Sequence, residues 1–164
     1  MHWLPLLAVF AQLTTSQWDN ARTSANLHET TLTPATVSSP QFGNRFSLKV
    51  DGDVYAQPLY IPHVAIPGKG THNVLYVATE HDSVYAFDSD APIDPLWHVS
   101  FLKPGSIGIV GDADVLCPFI HPEIGITSTP VIDLATGWSG RENRSASRGS
   151  VTRFSYALSS HLTR

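Results

Sequence analysis

Carboxylates gather in close pairs at two points of the chain, Asp51 with Asp53 and Asp112 with Asp114. Paired carboxylates can bind Ca²⁺, but that ion takes about six to eight oxygen ligands, and neither stretch has the loop spacing of an EF-hand. Both pairs stand beside glycine or alanine in polar surroundings that are typical of turns. The spacing therefore favours turn residues over a metal site.

Other reactive side chains also lack the neighbours that catalysis would need. Among the histidines, His81 is the strongest candidate for chemistry because Asp82 is next to it, yet both residues fall where a turn needs polar residues. Cys117 is the single cysteine, so it is either a small buried hydrophobe or a thiol without its partner. No nucleophile elbow occurs, and the glycines of 67–70 lack phosphate-loop spacing. The sequence assigns no catalytic, cofactor-binding or metal-binding residue, which favours a protein that is not an enzyme.

The elements that must position these residues are short strands. Residues 73–90, "NVLYVATEHDSVYAFDSD", hold two runs of β-branched and aromatic residues around a polar stretch, a pattern that predicts strand, turn, strand. A further strand is predicted at 54–61, where Pro58 favours an edge position or a start at Pro58 itself. The alternation of 46–50 predicts another strand, with the Asp-Gly pair at 51–52 as a hairpin turn.

Residues 62–72 are predicted to be a turn-rich loop, and the stretch around Trp97 adds one more strand. Four strands thus follow one another from Val54 onward, which is the content of one β-propeller blade. Such a unit cannot bury both faces alone and needs neighbours.

The opening of this unit recurs once. "DGDVYAQPLYI" at 51–61 matches "EIGITSTPVID" at 123–133 with a shift of 72 residues, keeping the apolar pattern and aligning Pro58 with Pro130. A second unit therefore begins near Ile124 and stops after Gly137. The predicted fold is all-β, a partial propeller of about one and a half four-stranded antiparallel blades over 51–137.

Composition and charge limit the classes of molecule that the protein is expected to bind. The chain of 164 residues is 42% hydrophobic and 15% charged, with 12 Pro and 11 Gly, which favours one domain of short strands and turns. Up to Gly137 there are five Lys or Arg against thirteen Asp or Glu, whereas 138–164 holds five Arg and only Glu142. An acidic body argues against nucleic acid as a partner. The Ser/Arg-rich 138–164 is expected to be a disordered tail.

The two N-terminal segments have different compositions. Residues 1–11 resemble a truncated signal peptide with an apolar run at 3–11, which is too short for a membrane span of ~20 residues. Export to an extracellular or periplasmic compartment is therefore expected, the alternative being an ordinary first strand. Residues 12–50 are interpreted as a polar lead-in strap with the first strand at its end.

Residues 75–97 resemble the repeat of quinoprotein-like (pyrroloquinoline-quinone-like) β-propellers, and the likeness covers roughly 17–137. In that family a strand pair is followed by an Ala-x-Asp turn and then a Trp that docks onto the neighbouring blade. The matching positions here are Ala86, Asp88 and Trp97. The chain departs from the family by carrying "SDAPIDPL" after the Asp and by placing Trp97 one residue later. The resemblance implies structural blade-docking roles for the three residues.

The resemblance leaves three functions open. The preferred hypothesis is the N-terminal piece of an exported, non-catalytic propeller that binds an unidentified ligand or protein. The alternatives are a remnant of a quinone-dependent oxidoreductase, the only case that would imply pyrroloquinoline quinone and Ca²⁺, or a truncated chain without its own function. Folding is expected to need the rest of a longer propeller or self-association, so Trp97→Ala is expected to matter little in this chain.

Overall fold

A computed structural model describes residues 11–115, 119–134 and the backbone of 137–139. These residues form a mostly β structure whose two helices are single turns. Neither of them has the length and apolar character that a membrane span would need. The elements are α1 Pro34–Val37, β1 Leu59–Ile66, β2 Gly70–Ala78, β3 Ser83–Asp88, β4 Trp97–Ser100, β5 Val110–Gly111, α2 Asp112–Val115, β6 Glu123–Ile124, β7 Val131–Asp133 and β8 Gly137–Ser139.

The main sheet has four antiparallel strands in the order β1-β2-β3-β4. The predicted hairpin of 73–90 is confirmed as β2 and β3, which are in register from Val74 opposite Asp88 to Ala78 opposite Val84. The prediction of four consecutive strands is also confirmed. Because each strand pairs with the next one along the chain, short turns suffice to build the whole sheet.

Two predicted assignments are wrong, and the start of β1 agrees with a predicted alternative. Residues 62–66 belong to β1 rather than to a loop, because a register shift between Ile61 and Val64 lets the strand continue past Pro62, which has no N–H to donate. Residues 54–58 precede the strand, and β1 starts at Leu59 on the edge of the sheet, which agrees within one residue with the predicted start at Pro58. Residues 46–50 form no strand, although the side chains of Leu48 and Val50 pack against the sheet. The all-β prediction also omitted α1 and α2.

Both faces of the sheet are covered, which explains why the hairpin sequence is almost continuously apolar. One face, with Val77, Tyr85 and Phe87, packs against Leu48 and Val50. The members of the opposite face lie in two clusters. One cluster contains Leu59, Val74, Tyr76 and Ala86 together with Ile132. The other contains Ala78 and Val84 together with Ala56, and Ile126 packs against it.

The second unit supplies part of that opposite face. β5 pairs with β6, and β7 pairs with β8, in two separate antiparallel ladders. β8 reaches Ser139, so two residues of the predicted tail are in a strand. The remaining 140–164, the leader residues 1–10 and Cys117 lie outside the described residues. The described sheets do not close on themselves.

Candidate functional site

The turn between β2 and β3 is where three distant segments meet. The Glu80 backbone N–H donates to the Asp53 carbonyl at 2.9 Å, and the Ile126 N–H donates to the Thr79 carbonyl at 3.1 Å. The Phe101 N–H donates to the Asp82 carbonyl at 2.9 Å. Backbone hydrogen bonds therefore fix the 51–53 stretch, the end of β4 and the start of the second unit on this one turn.

Four carboxylates surround the turn, and we call them the acidic junction: Asp51, Glu80, Asp82 and Glu123. Glu80 is the most buried of them, with 1% of its surface exposed. Its Oε2 accepts from the Gly125 N–H at 2.8 Å and from Thr127 Oγ1 at 2.9 Å. Its Oε1 is buried and has no hydrogen-bond partner among the described residues. A buried carboxylate requires such donors because desolvation of a charge is costly.

Asp51 ties the lead-in segment to both sides of the turn. It accepts from Thr79 Oγ1 at 2.9 Å and from the Ser83 hydroxyl. Burial alone would raise the pKa of Asp51, but the hydrogen bonds from Ser83, Thr79 and Tyr85 outweigh burial and lower that pKa. His98 of β4 lies 3.9 Å from the same carboxylate.

Two groups of the turn, His81 and Asp82, have raised pKa values. His81 Nδ1 lies 3.0 Å from Glu123 Oε2, and the hydrogen bond that it donates to Glu123 raises the pKa of His81 above its ordinary value. Burial, with added repulsion from Glu80, raises the pKa of Asp82 to about 6. Asp82 also has a positive φ of 50°, a conformation that Asp tolerates better than most residues.

A second histidine is held inside the sheet. His72 Nδ1 and Asp88 Oδ2 are 2.7 Å apart, and His72 Nε2 and the Lys69 carbonyl are also 2.7 Å apart. Because both partners are acceptors, this site favours the imidazolium form, in which both ring nitrogens donate. The hydrogen bond to Asp88 accordingly raises the pKa of His72.

The predicted docking residues lie on or beside the sheet. Ala86 is fully buried opposite Trp97, and Asp88 accepts from the Asp90 N–H at 2.8 Å, as expected of a turn carboxylate. Trp97 is half-buried, with its ring centroid 5.9 Å from that of Tyr76. It also packs against the cluster that contains Ile132 of the second unit. Trp97 and Ile126 both pack against the cluster of Ala56, Ala78 and Val84. Docking onto a complete neighbouring blade stays a prediction.

Sequence reasoning missed Glu80 and Glu123, although a clue was present. At the repeat shift of 72 residues, Asp51 aligns with Glu123 and Asp53 aligns with Gly125. The two copies thus present equivalent carboxylates to one turn, with Asp51 bound to Ser83 and Glu123 bound to His81. The other predicted acid pair is separate, since Asp112 and Asp114 lie in α2, where Asp112 contacts His121.

The described side chains of the acidic junction act as ties between segments. Within 11–115 and 119–134, no group of three or more His, Cys, Asp or Glu is placed to hold a metal ion. Comparisons with protein-family models, with curated proteins and with solved structures found no match for this chain.

Proposed function

We propose that this chain is part of an exported, quinoprotein-like β-propeller that serves as a non-catalytic scaffold for binding a ligand or another protein. In this proposal β1 to β4 form one blade, and β7 with β8 begins the next. The remaining blades come from more chain or from other copies. The proposal concerns the kind of scaffold and leaves the identity of the partner to experiment.

One observation carries the proposal. Tyr60 of β1 exchanges two backbone hydrogen bonds with Leu13, and the N–H of Ile132 in β7 donates to the carbonyl of Thr14 at 2.8 Å. Tyr60 and Ile132 are equivalent positions of the two sequence repeats. Consecutive residues of one N-terminal segment therefore bond the first strands of two successive units, as expected when those strands line a common centre.

A side-chain contact supports the same arrangement. The Gln57 N–H donates to Thr129 Oγ1 at 2.9 Å, and these two residues are also equivalent under the shift of 72. Equivalent residues of two repeats come into contact where the repeats lie side by side, either close to a rotation axis that relates them or in a translational stack. Adjacent propeller blades have the first of these relations near the centre of the ring.

The scaffold role is favoured over catalysis by the way the charged groups are used. Glu80, Asp51 and Asp88 accept hydrogen bonds from neighbouring chain segments, which is a structural task. Fold-level likeness to an enzyme family does not itself transfer the activity. No observation in the described residues specifically favours the quinone-dependent oxidoreductase.

The test uses the full chain in three steps. Far-ultraviolet circular dichroism with thermal melting measures whether it folds cooperatively with a strand spectrum, and light scattering measures its oligomeric state. Pyrroloquinoline quinone and Ca²⁺ are then added, with tryptophan fluorescence and dye-linked dehydrogenase activity on alcohols and sugars as readouts. We expect a cooperative melt, no saturable quinone binding and no dye reduction.

Other outcomes select the other hypotheses. Saturable quinone binding with dye reduction would overturn the scaffold proposal in favour of the oxidoreductase. A featureless spectrum without a cooperative melt at any concentration would instead indicate a truncated chain without independent function.

A further inference from the structure

The ion pairs of the described chain share one chemical feature. Four ion pairs join described side chains, and each of them joins a carboxylate to a histidine rather than to a lysine or arginine. They are His72 with Asp88, His81 with Glu123, His98 with Asp51, and His121 with Asp112. Histidine changes its charge near neutral pH, whereas lysine and arginine remain charged far above it.

The pair between His81 and Glu123 has a special position among the four. It joins the β2–β3 turn to β6, across 42 residues of chain, and is only partly exposed. Next to it, Gly125 and Thr127 are held by the buried carboxylate of Glu80. Groups whose charges depend on pH therefore help to bind the second unit to the main sheet.

We propose that the acidic junction is a pH-dependent latch that holds residues 123–127 on the β2–β3 turn in mildly acidic solution and releases them above neutral pH. When His81 is an imidazolium, it offsets the negative charges around it and donates to Glu123. When His81 is neutral and Asp82 is ionised, Glu80, Asp82 and Glu123 repel one another in a partly desolvated space. This inference does not depend on the propeller proposal.

The groups facing the latch come from every segment packed on the turn. The turn itself contributes Glu80, His81 and Asp82 to these groups. Glu123 faces His81 from β6, and Asp51 faces it from the lead-in segment. Asp51 is in turn approached by Tyr85 of β3 and His98 of β4. No lysine or arginine is among these groups.

The direction of the pH effect is the same for both titrating groups. The pKa of His81 is raised by folding, so its pairing stabilises the junction below about pH 6.5 and is lost as pH rises through the raised value. The pKa of Asp82 is raised from 3.8 to about 6, so folding favours its neutral form and stability falls as pH rises through that interval. Both effects weaken the junction toward alkaline pH.

Hydrogen exchange of the full chain, followed by mass spectrometry, tests the latch at about pH 5 and about pH 8, with labelling times corrected for the intrinsic pH dependence of exchange. We expect peptides covering 123–133 to lose about tenfold protection between the two conditions, while peptides of β2 and β3 lose much less. His81→Gln should give low protection at both pH values. Asp82→Asn should preserve more protection at the higher pH. His28→Gln, at an exposed histidine outside the junction, is the matched control and should behave as the unsubstituted chain.

The proposal is overturned if 123–133 exchanges equally at the two pH values, whether the chain is well protected or unprotected. It is also overturned if His81→Gln keeps the full pH dependence. A loss of protection that is as large in β2 and β3 as in 123–133 would mean general unfolding without a latch, and would equally reject it.

Discussion

Glu80 shows how one residue can decide where a distant segment lies. Its carboxylate is buried under the segment that it binds, and its two hydrogen bonds on Oε2 are both made to residues more than forty positions away. Hydrogen bonds to a charged acceptor are stronger than neutral ones, and removing the acceptor breaks two of them at once. Glu80 is therefore expected to contribute to stability despite the cost of burying it.

We expect Glu80→Ala to lower the free energy of unfolding by about 2–4 kcal/mol, because Gly125 and Thr127 lose their acceptor. Glu80→Gln keeps one acceptor oxygen and should cost less. Urea unfolding monitored by tryptophan fluorescence measures both variants. Asp94→Ala, at an exposed position, is the control and should change stability by less than about 0.5 kcal/mol. Equal stability of Glu80→Ala and the control would contradict this role.

Gly125 is the other side of the same contact. A Cβ at this position would overlap the Glu80 carbonyl and come within 2.8 Å of the Asp82 backbone nitrogen. Because both neighbours are backbone atoms, they cannot rotate away, and Gly125→Ala should cost about 2–3 kcal/mol or more. Gly108→Ala is the matched control, since nothing lies within 4 Å of its Cβ. Unfolding measurements that place the two variants within error of each other would show that the close approach is absent in solution.

At the scale of elements, β4 carries an aromatic residue at the boundary between the sheet and the second unit. Trp97 contacts Tyr76 and packs against the cluster that includes Ile132. Like Ile126, it also packs against the cluster of Ala56, Ala78 and Val84. The sequence alone predicted little effect of Trp97→Ala in this chain, because the neighbouring unit is incomplete. The tertiary structure changes that expectation, because Trp97 packs against Tyr76 and against a cluster that contains Ile132 of the second unit.

We now expect Trp97→Ala to lower the free energy of unfolding by about 2–3 kcal/mol, somewhat less than truncation of a fully buried tryptophan. Chemical denaturation monitored by circular dichroism measures the loss. Phe119→Ala, an aromatic truncation at a side chain that is 85% exposed, serves as the control. A loss no larger than that of the control would reject the packing role of Trp97.

The short segment that contains Leu13 acts as an added edge strand. Leu13 donates its N–H to the Tyr60 carbonyl at 2.8 Å, and the Tyr60 N–H donates back at 2.9 Å. Leu13→Pro removes the first of these donors, so we expect faster hydrogen exchange at the Tyr60 amide and a loss of about 1–2 kcal/mol. Gln12→Pro, one residue earlier, should leave the Tyr60 amide protected. Unchanged exchange at Tyr60 in Leu13→Pro would argue against this edge pairing.

At the scale of the whole molecule, opposing titrations set an optimum pH for stability. Hydrogen bonds lower the pKa values of Asp88 and Asp112, so their stabilisation is lost as pH falls below about 3.8. Raised pKa values of His72 and His81 give stabilisation that is lost as pH rises above about 6.5. Asp82 adds a further decline with increasing pH up to about 6.

Thermal melts across pH should therefore give a maximum melting temperature at about pH 4–5, with declines on both sides. Added salt at about 1 M should flatten the alkaline decline, because the histidine–carboxylate pairs are partly exposed and screened. A melting temperature that increases steadily from pH 5 to pH 8 would contradict the assignment of these titrations.

Local pattern predicted the fold better than it predicted the site. The alternation of 73–90 was sufficient for β2 and β3, because a tight antiparallel hairpin is specified by residues close in sequence. The boundaries of β1 were harder to predict, because a bulge allowed Pro62 inside the strand. Residues 46–50 showed strand alternation, but their apolar side chains pack on the sheet without joining it.

The sequence by itself determined the four-stranded antiparallel unit, the turn between β2 and β3 and the repeat at a shift of 72 residues, because each depends on neighbouring residues or on simple alignment. Only the tertiary structure decided that Asp51, Glu80, Asp82 and Glu123 would share one junction and that His81 would face Glu123. Long-range contacts depend on how the second unit packs on the first, and no local pattern encodes that packing. The pH response follows from the same cause, since burial and neighbouring charge, rather than residue type, set the pKa of Asp82.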